Sequence, residues 1–240
     1  MSAARKFTIV IAIVVLVASL VGARNAVRRH RPDPDRVVPD GGVTAPGWKG
    51  VIDPQSIAQG RTINDSRFDQ QRDGFHLTVG PAAYYWNPAN TASRDFVVKA
   101  TFTEPRMINN HPHPMGLFIG GSNLGTSEER LMYCTAYRDG SFIVRLFNGN
   151  HVTEVVAKTP NPAVHQAGDS EPVNQQIGWI VKGGRAECEI NGTIVAGLDR
   201  TRIVGTGLLD STDGIWGIRV SHNMDVVVTN LAMQAADRSQ

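Results

Sequence analysis

The sequence predicts an all-β fold of two packed antiparallel sheets behind an N-terminal apolar segment, and three observations carry that expectation. From Trp48 onward no long stretch places apolar residues at the three-four spacing of a helix. Apolar and polar residues instead alternate in short runs bounded by turn signals. Glycine and proline, 24 and 13 of 240 residues, punctuate the chain often enough to favour short strands over long helices. At 41% hydrophobic and 19% charged, the chain can bury a full core. With no helical crossovers to join parallel strands, two antiparallel sheets are the remaining arrangement.

Taken in order, the chain opens with Arg5-Lys6 followed by Phe7–Ala23, an uncharged run rich in Ile, Val, Leu and Ala. This is the charged-then-apolar order of a secretory signal. Val21-Gly22-Ala23 supplies small residues for cleavage after Ala23, while the run also reaches the lower limit for a membrane-spanning anchor. Residues 1–23 are therefore read as a signal peptide or a membrane anchor. Arg24, Arg28, Arg29 and Arg31 follow the run, where positive charge opposes translocation. Residues 24–46, with Pro32, Pro34, Pro39 and Gly41-Gly42, read as an extended linker. Residues 47–236 read as the sandwich domain and 237–240 as a tail.

Charge is unevenly placed. Through residue 36, seven Arg and Lys face two Asp, a local +5 within a total of +2, which leaves about −3 on the rest. The folded part lacks the basic face that a nucleic-acid reader needs, so nucleic acid is not an expected partner.

Phe96–Phe102 reads as one strand and Met115–Ile119 as another, closed by Gly120-Gly121. Leu131–Tyr137 and Ser141–Phe147 flank Asp139-Gly140, a hairpin signal. Gln176–Val181, Ala186–Ile190 and Thr193–Ala196 form an expected meander, turning at Gly183-Gly184 and Asn191-Gly192. Ile215–Val220 and Asp225–Met233 are read as a final pair around His222-Asn223. Cys134 and Cys188 each sit in an alternating segment. Two buried thiols and one inter-strand disulfide both fit, because Cα separation decides between them.

Several segments carry a resemblance. They are Gly80-Pro81-Ala82-Ala83; Trp86-Asn87-Pro88-Ala89-Asn90-Thr91 running into Phe96–Phe102; and His113-Pro114 before Gly116–Gly121. Tyr137-Arg138-Asp139-Gly140 and Gly217–Val220 before His222-Asn223 complete the series. Together, over roughly residues 48–234, they resemble bacterial exported proteins of the concanavalin A-like lectin/glucanase superfamily, near the keto-disaccharide hydrolase-like domain. The resemblance implies an extracytoplasmic jelly-roll sandwich concerned with carbohydrate. The superfamily's glucanase branch carries Glu-x-Asp-x-x-Glu on one strand. That motif is absent here, and the nearest acid pair, Glu187 and Glu189, lacks a third carboxylate. This argues against a classical glucanase.

The candidate site residues follow from alternation. Tyr133, Thr135 and Tyr137 oppose Met132, Cys134 and Ala136, while Arg145 and Arg219 oppose apolar neighbours on their own strands. If these strands share a sheet, its outer face carries Tyr133, Tyr137, Arg145 and Arg219. Aromatic platforms flanked by hydrogen-bonding groups suit sugars, and a solvated sheet face is the plainer account. Asn109–Pro114 holds His111 and His113, either able to ligate a metal or act as a base, or else simply a proline-stiffened loop. His222 is expected to join His113 at a sandwich rim with Asp225 orienting it, or to sit in a plain turn. Asp210–Asp213 has the oxygen-rich composition of a calcium loop or of a turn. Tyr84-Tyr85-Trp86 reads as a stacking cluster or a plug at the core edge.

The leading expectation is a carbohydrate-binding protein that engages a glycan or cell-envelope polysaccharide, tethered through residues 7–23 if the leader is retained. A hydrolase of keto-disaccharides, with His113 or His222 as base, and a structural envelope domain are the alternatives. The sequence assigns no cofactor.

Overall fold

The structure, a computed structural model, describes residues 33–236. The apolar segment 1–23, the first part of the expected linker and the tail at 237–240 lie outside the described residues. The chain divides at Pro34 into two units, and the second, from Asp35, contains every element below. Among the described residues, no helix is long and apolar enough to cross a membrane.

Alternating burial builds two sheets. One has eight strands in the order β1 (Gly42–Val43), β3 (Arg67–Gln71), β4 (Gly74–Val79), β15 (Met224–Ala235), β6 (Phe96–Glu104), β11 (Val173–Lys182), β12 (Arg185–Ile190) and β13 (Thr193–Asp199). The other has seven, in the order β10 (His151–Pro160), β9 (Ser141–Asn148), β8 (Arg130–Tyr137), β7 (Pro114–Ser122), β14 (Gly214–Val220), β5 (Ala83–Ala92) and β2 (Lys49–Ile52). All pairings are antiparallel except β1 with β3. Among the described residues the helices are brief: α1 (Pro54–Ala58) and α2 (Arg200–Ile203), with one 3-10 turn at Ile63–Asp65.

Period-two alternation determines which side chains face inward. Met132, Cys134 and Ala136 of β8 and Phe142, Val144 and Leu146 of β9 meet Val98, Ala100 and Phe102 of β6 and Ile177, Trp179 and Val181 of β11. The fully buried Trp179 donates its Nε1–H to the Leu117 carbonyl at 3.0 Å, a polar link from one sheet to the other. The cysteines are joined: Cys134 of β8 and Cys188 of β12 form a disulfide across the sandwich, with Cα atoms 6.3 Å apart. That resolves the open choice between two buried thiols and a bond.

One expected pairing fails. Ile215–Val220 and Asp225–Met233 do not pair with each other. β14 lies between β7 and β5, whereas β15 lies between β4 and β6 in the other sheet. The Ser221-His222-Asn223 connection therefore crosses between sheets, with Asn223 at φ 54° where Asn is well tolerated. Each strand is instead paired antiparallel on both sides within its own sheet, β14 with β5 and β7 and β15 with β4 and β6.

From Asp35 on, the segment read as linker is tied into the second unit. Arg36 donates from Nε to the Val79 carbonyl and from Nη2 to the Met224 carbonyl, and Ala45 is buried.

A buried ion pair braces the end of β6. Glu104 faces Arg138 at 3.0 Å, and Arg138 Nη2 also donates to the Gly168 and Glu171 carbonyls. Burial pushes the Glu104 carboxyl up to about 7, against the opposing pull of Arg138. A raised pKa means the fold favours the protonated acid. This contribution to stability is present below the ordinary 4.5 and lost as pH rises through about 7. Over that window the urea midpoint of the wild type is expected to fall more steeply than that of Glu104→Gln. Parallel profiles would mean that the carboxyl titrates alike in the folded and unfolded chains.

Candidate functional site

The outer face of the seven-stranded sheet divides into a dry half and an open half. Cross-strand register places Trp86, Gly217, Phe118, Tyr133 and Arg145 in one row across five strands. Tyr84, Arg219, Gly116, Thr135 and Ile143 form the next row. Tyr84, Trp86, Phe118, Leu131, Tyr133 and Phe147 close into a second apolar cluster, packed under Leu124 of the β7–β8 connection. Tyr84 donates its hydroxyl to Glu129 at the end of that connection, and the Gly125 N–H donates to the same carboxylate at 3.1 Å. Tyr84-Tyr85-Trp86 therefore splits between two cores, Tyr85 inside the sandwich and the other two outside it.

Beyond this cover the face opens into a pocket of about 280 Å³, lined by His111, His113, Tyr133, Thr135, Tyr137, Ile143, Arg145, Lys158, Arg219 and Ser221 together with two prolines. The four residues expected on one face, Tyr133, Tyr137, Arg145 and Arg219, all line it, and so does His113. They are not equally displayed. Tyr133 and Arg219 are only 4% and 6% exposed and make the floor, whereas Arg145 stands at the rim.

Arg219 is held rather than free to roam. Both of its terminal nitrogens donate to Asp53, at 2.5 and 2.7 Å, and its guanidinium lies 5.2 Å from the centre of the Tyr133 ring and 5.4 Å from that of Phe147. Tyr137 lies under Lys158, whose ammonium is 4.1 Å from the ring centre and 2.7 Å from Asp139. Burial pushes the Tyr137 hydroxyl up, so it stays a neutral hydrogen-bond donor near neutral pH. Arg145 pairs with Glu154 across β9 and β10 at 3.4 Å. Each of these cations has its counter-ion outside the lining, and no Asp or Glu is among the described residues that line the pocket. The pocket therefore offers aromatic faces, fixed donors and positive charge, and holds no carboxylate pair for glycoside hydrolysis.

The histidines gather at one edge. The rings of His111 and His113 are 4.5 Å apart between centres, and those of His113 and His222 are 4.1 Å apart. His222 is thus beside His113, but its orienting carboxylate is Asp35, which accepts from Nδ1 at 2.9 Å. Asp225, expected in that role, instead accepts from His76 at 2.8 Å, because alternation along β15 turns it toward β4. His222 does not itself line the pocket. The acids at 210–213 also diverge: Asp210 takes Ser122 and Arg130, and Asp213 takes the Arg94 N–H. Glu189 is paired with Lys99 on the opposite sheet, far in the fold from this face.

Sequence reasoning missed Lys158, Asp53 and Asp35. Lys158 lies on His151–Pro160, a mostly exposed strand whose apolar residues do not alternate, so its only local signal is the β-branched content of Val152-Thr153 and Val155-Val156. Asp53 and Asp35 carry no local signal, since their partners lie 166 and 187 residues away.

No family model matches the chain, and no curated protein sequence matches it. Solved structures do. The carbohydrate binding module CBM66 from Bacillus subtilis superposes with a TM-score of 0.53 at 11% identity, covering 81% of this chain and 99% of that one. A Bacillus subtilis protein of unknown function with a galectin-like fold gives 0.55 at 15% identity, covering 80% and 90%. The fold is thus an all-β sandwich like that of these two proteins. The finer resemblance to the keto-disaccharide hydrolase-like domain is not confirmed by these structures.

Proposed function

We propose that this protein binds carbohydrate outside the cytoplasm, holding an acidic glycan such as a cell-envelope polysaccharide in the pocket beside Tyr137. The observation that carries the proposal is the lining itself: Tyr133 and Tyr137 for sugar faces, Arg145, Lys158 and Arg219 for charge, and no acid. A sugar carboxylate would meet donors there, with Glu154, Asp139 and Asp53 standing behind the cations and outside the lining. The sandwich it shares with a carbohydrate binding module supports the same reading. An extracytoplasmic setting suits the Cys134–Cys188 bond, since disulfides persist in oxidising compartments. Residues 7–23 would export the chain or tether it to the membrane.

A second reading, hydrolysis of a keto-disaccharide, has one observation in its favour. Asp35, His222 and His113 form a connected series that reaches the pocket wall, as a general base requires.

The test is calorimetric titration of the full-length protein with uronate-bearing and neutral glycans. Binding is expected to favour the acidic members. Tyr137→Ala is expected to weaken it by about 2 kcal/mol, roughly thirtyfold, while Lys99→Ala on the other sheet leaves it unchanged. Product release that disappears in His222→Ala would replace the binder with the enzyme. If no glycan binds, a structural envelope role stands instead; if Tyr137→Ala binds as the wild type does, the sugar is held away from this pocket.

A further inference from the structure

We propose that His111, His113 and His222 bind one divalent transition-metal ion of the zinc class at the edge of the pocket. One ligand atom from each of the three side chains lies within 4.8 Å of those of the others. A tetrahedral zinc site with Zn–N bonds of about 2.0–2.1 Å needs nitrogens about 3.4 Å apart, so modest closure completes the set. His111 is the exposed member of the three.

Chain geometry brings the rings together. His111 and His113 flank Pro112, whose ring fixes φ and stiffens the entry to β7. His222 arrives from 109 positions further on, in the connection that carries the chain from β14 to β15, beside Pro114 through the Ser221 N–H bond. Imidazole donors suit zinc, copper or nickel and are poor for calcium or magnesium, which prefer oxygen.

The surroundings have the form that metal-ligating histidines show. His222 Nδ1 donates to the Asp35 carboxylate at 2.9 Å, and His111 Nδ1 lies 3.0 Å from the Asn110 side-chain oxygen. An Nδ1–H held by an oxygen leaves the lone pair on Nε2 and fixes the ring, the usual carboxylate–histidine–metal arrangement. Ser56 Oγ donates to the other Asp35 oxygen at 2.8 Å, so the orienting carboxylate is itself anchored. The three histidines supply three of the four ligands that a tetrahedral zinc site takes. Because His111 and His113 line the pocket, the ion would sit at its wall.

The experiment strips the full-length protein with chelator and titrates zinc by calorimetry, then cobalt by visible absorption. One equivalent of zinc is expected to bind, with cobalt showing the intense bands of low coordination and calcium failing to compete. His111→Gln, at an exposed position, is expected to keep the melting temperature of the stripped parent and to weaken zinc binding a hundredfold or more. Asp35→Asn is expected to weaken it ten- to a hundredfold. His76→Gln, which removes a histidine paired with Asp225 elsewhere, is expected to change nothing. Absence of stoichiometric binding, or wild-type affinity in His111→Gln, overturns the site. Glycan titration in chelator runs in parallel, so loss of the metal site and loss of the sugar site are read separately.

Discussion

Asp53→Ala is expected to lower the unfolding free energy by about 3–5 kcal/mol, the cost of leaving a buried charge without its partner. Arg219 has a side chain only 7% exposed, and Asp53 takes both of its terminal nitrogens. Burial alone would lower the Arg219 pKa, yet Asp53 and the neighbouring tyrosines hold it above its ordinary value, so it remains charged throughout. Remove Asp53 and that cation stays over the Tyr133 and Phe147 rings without its ion-pair partner, leaving Glu129, already bonded to Tyr84, as the other carboxylate that acts on it. The reverse change, Arg219→Met, is expected to cost less, because Asp53 is 24% exposed and can recover water. In the double variant the two losses should fall well short of their sum, since removing both charges avoids the uncompensated one. Urea unfolding of the four proteins measures this cycle. A loss under about 1 kcal/mol for Asp53→Ala would mean that water reaches Arg219 and that the pocket floor is wet.

The second large effect belongs to the disulfide. Cys134→Ala with Cys188→Ala is expected to remove about 4 kcal/mol on the loop-entropy account, because the bond closes a separation of 54 residues. For a domain of this size that is a fall in melting temperature of roughly 8–16 °C. Alanine is the right replacement, since both sulfurs are buried among apolar side chains and a serine hydroxyl would lack a partner. Reduction of the wild type should reproduce most of the shift. Identical melts with and without reductant would show that the sandwich does not depend on its cross-link, and would weaken the case for an oxidising compartment.

The legible parts of this protein are those written in local alternation. Tyr133, Tyr137, Arg145 and Arg219 could be placed on one face because neighbouring side chains on a strand point to opposite sides. The same rule put Met132, Cys134 and Ala136 inside. What it leaves open is how deeply a residue on the outer face sits. Tyr133 and Arg219 are floor rather than surface because Leu124 and Glu129 cap the neighbouring rows, and that cover comes from a loop with no strand signal.

Partner choice was the other illegible element. β14 and β15 are joined by a short connection, which reads as a hairpin, yet they pair in different sheets. Asp225 is three residues from His222 and still turns to His76, while Asp35 comes from the far end of the chain to hold His222.

By itself, then, the sequence determined an all-β sandwich, the inward and outward face of most strands, and a candidate set of aromatic and basic residues. These depend on a two-residue period and on turn chemistry, both of which act between near neighbours. Tertiary structure alone decided the disulfide, the Asp53–Arg219 pair and the choice of Asp35 as the partner of His222. Each of those is a meeting of side chains distant along the chain, brought about when two sheets exclude water from a shared core, and no local pattern encodes it.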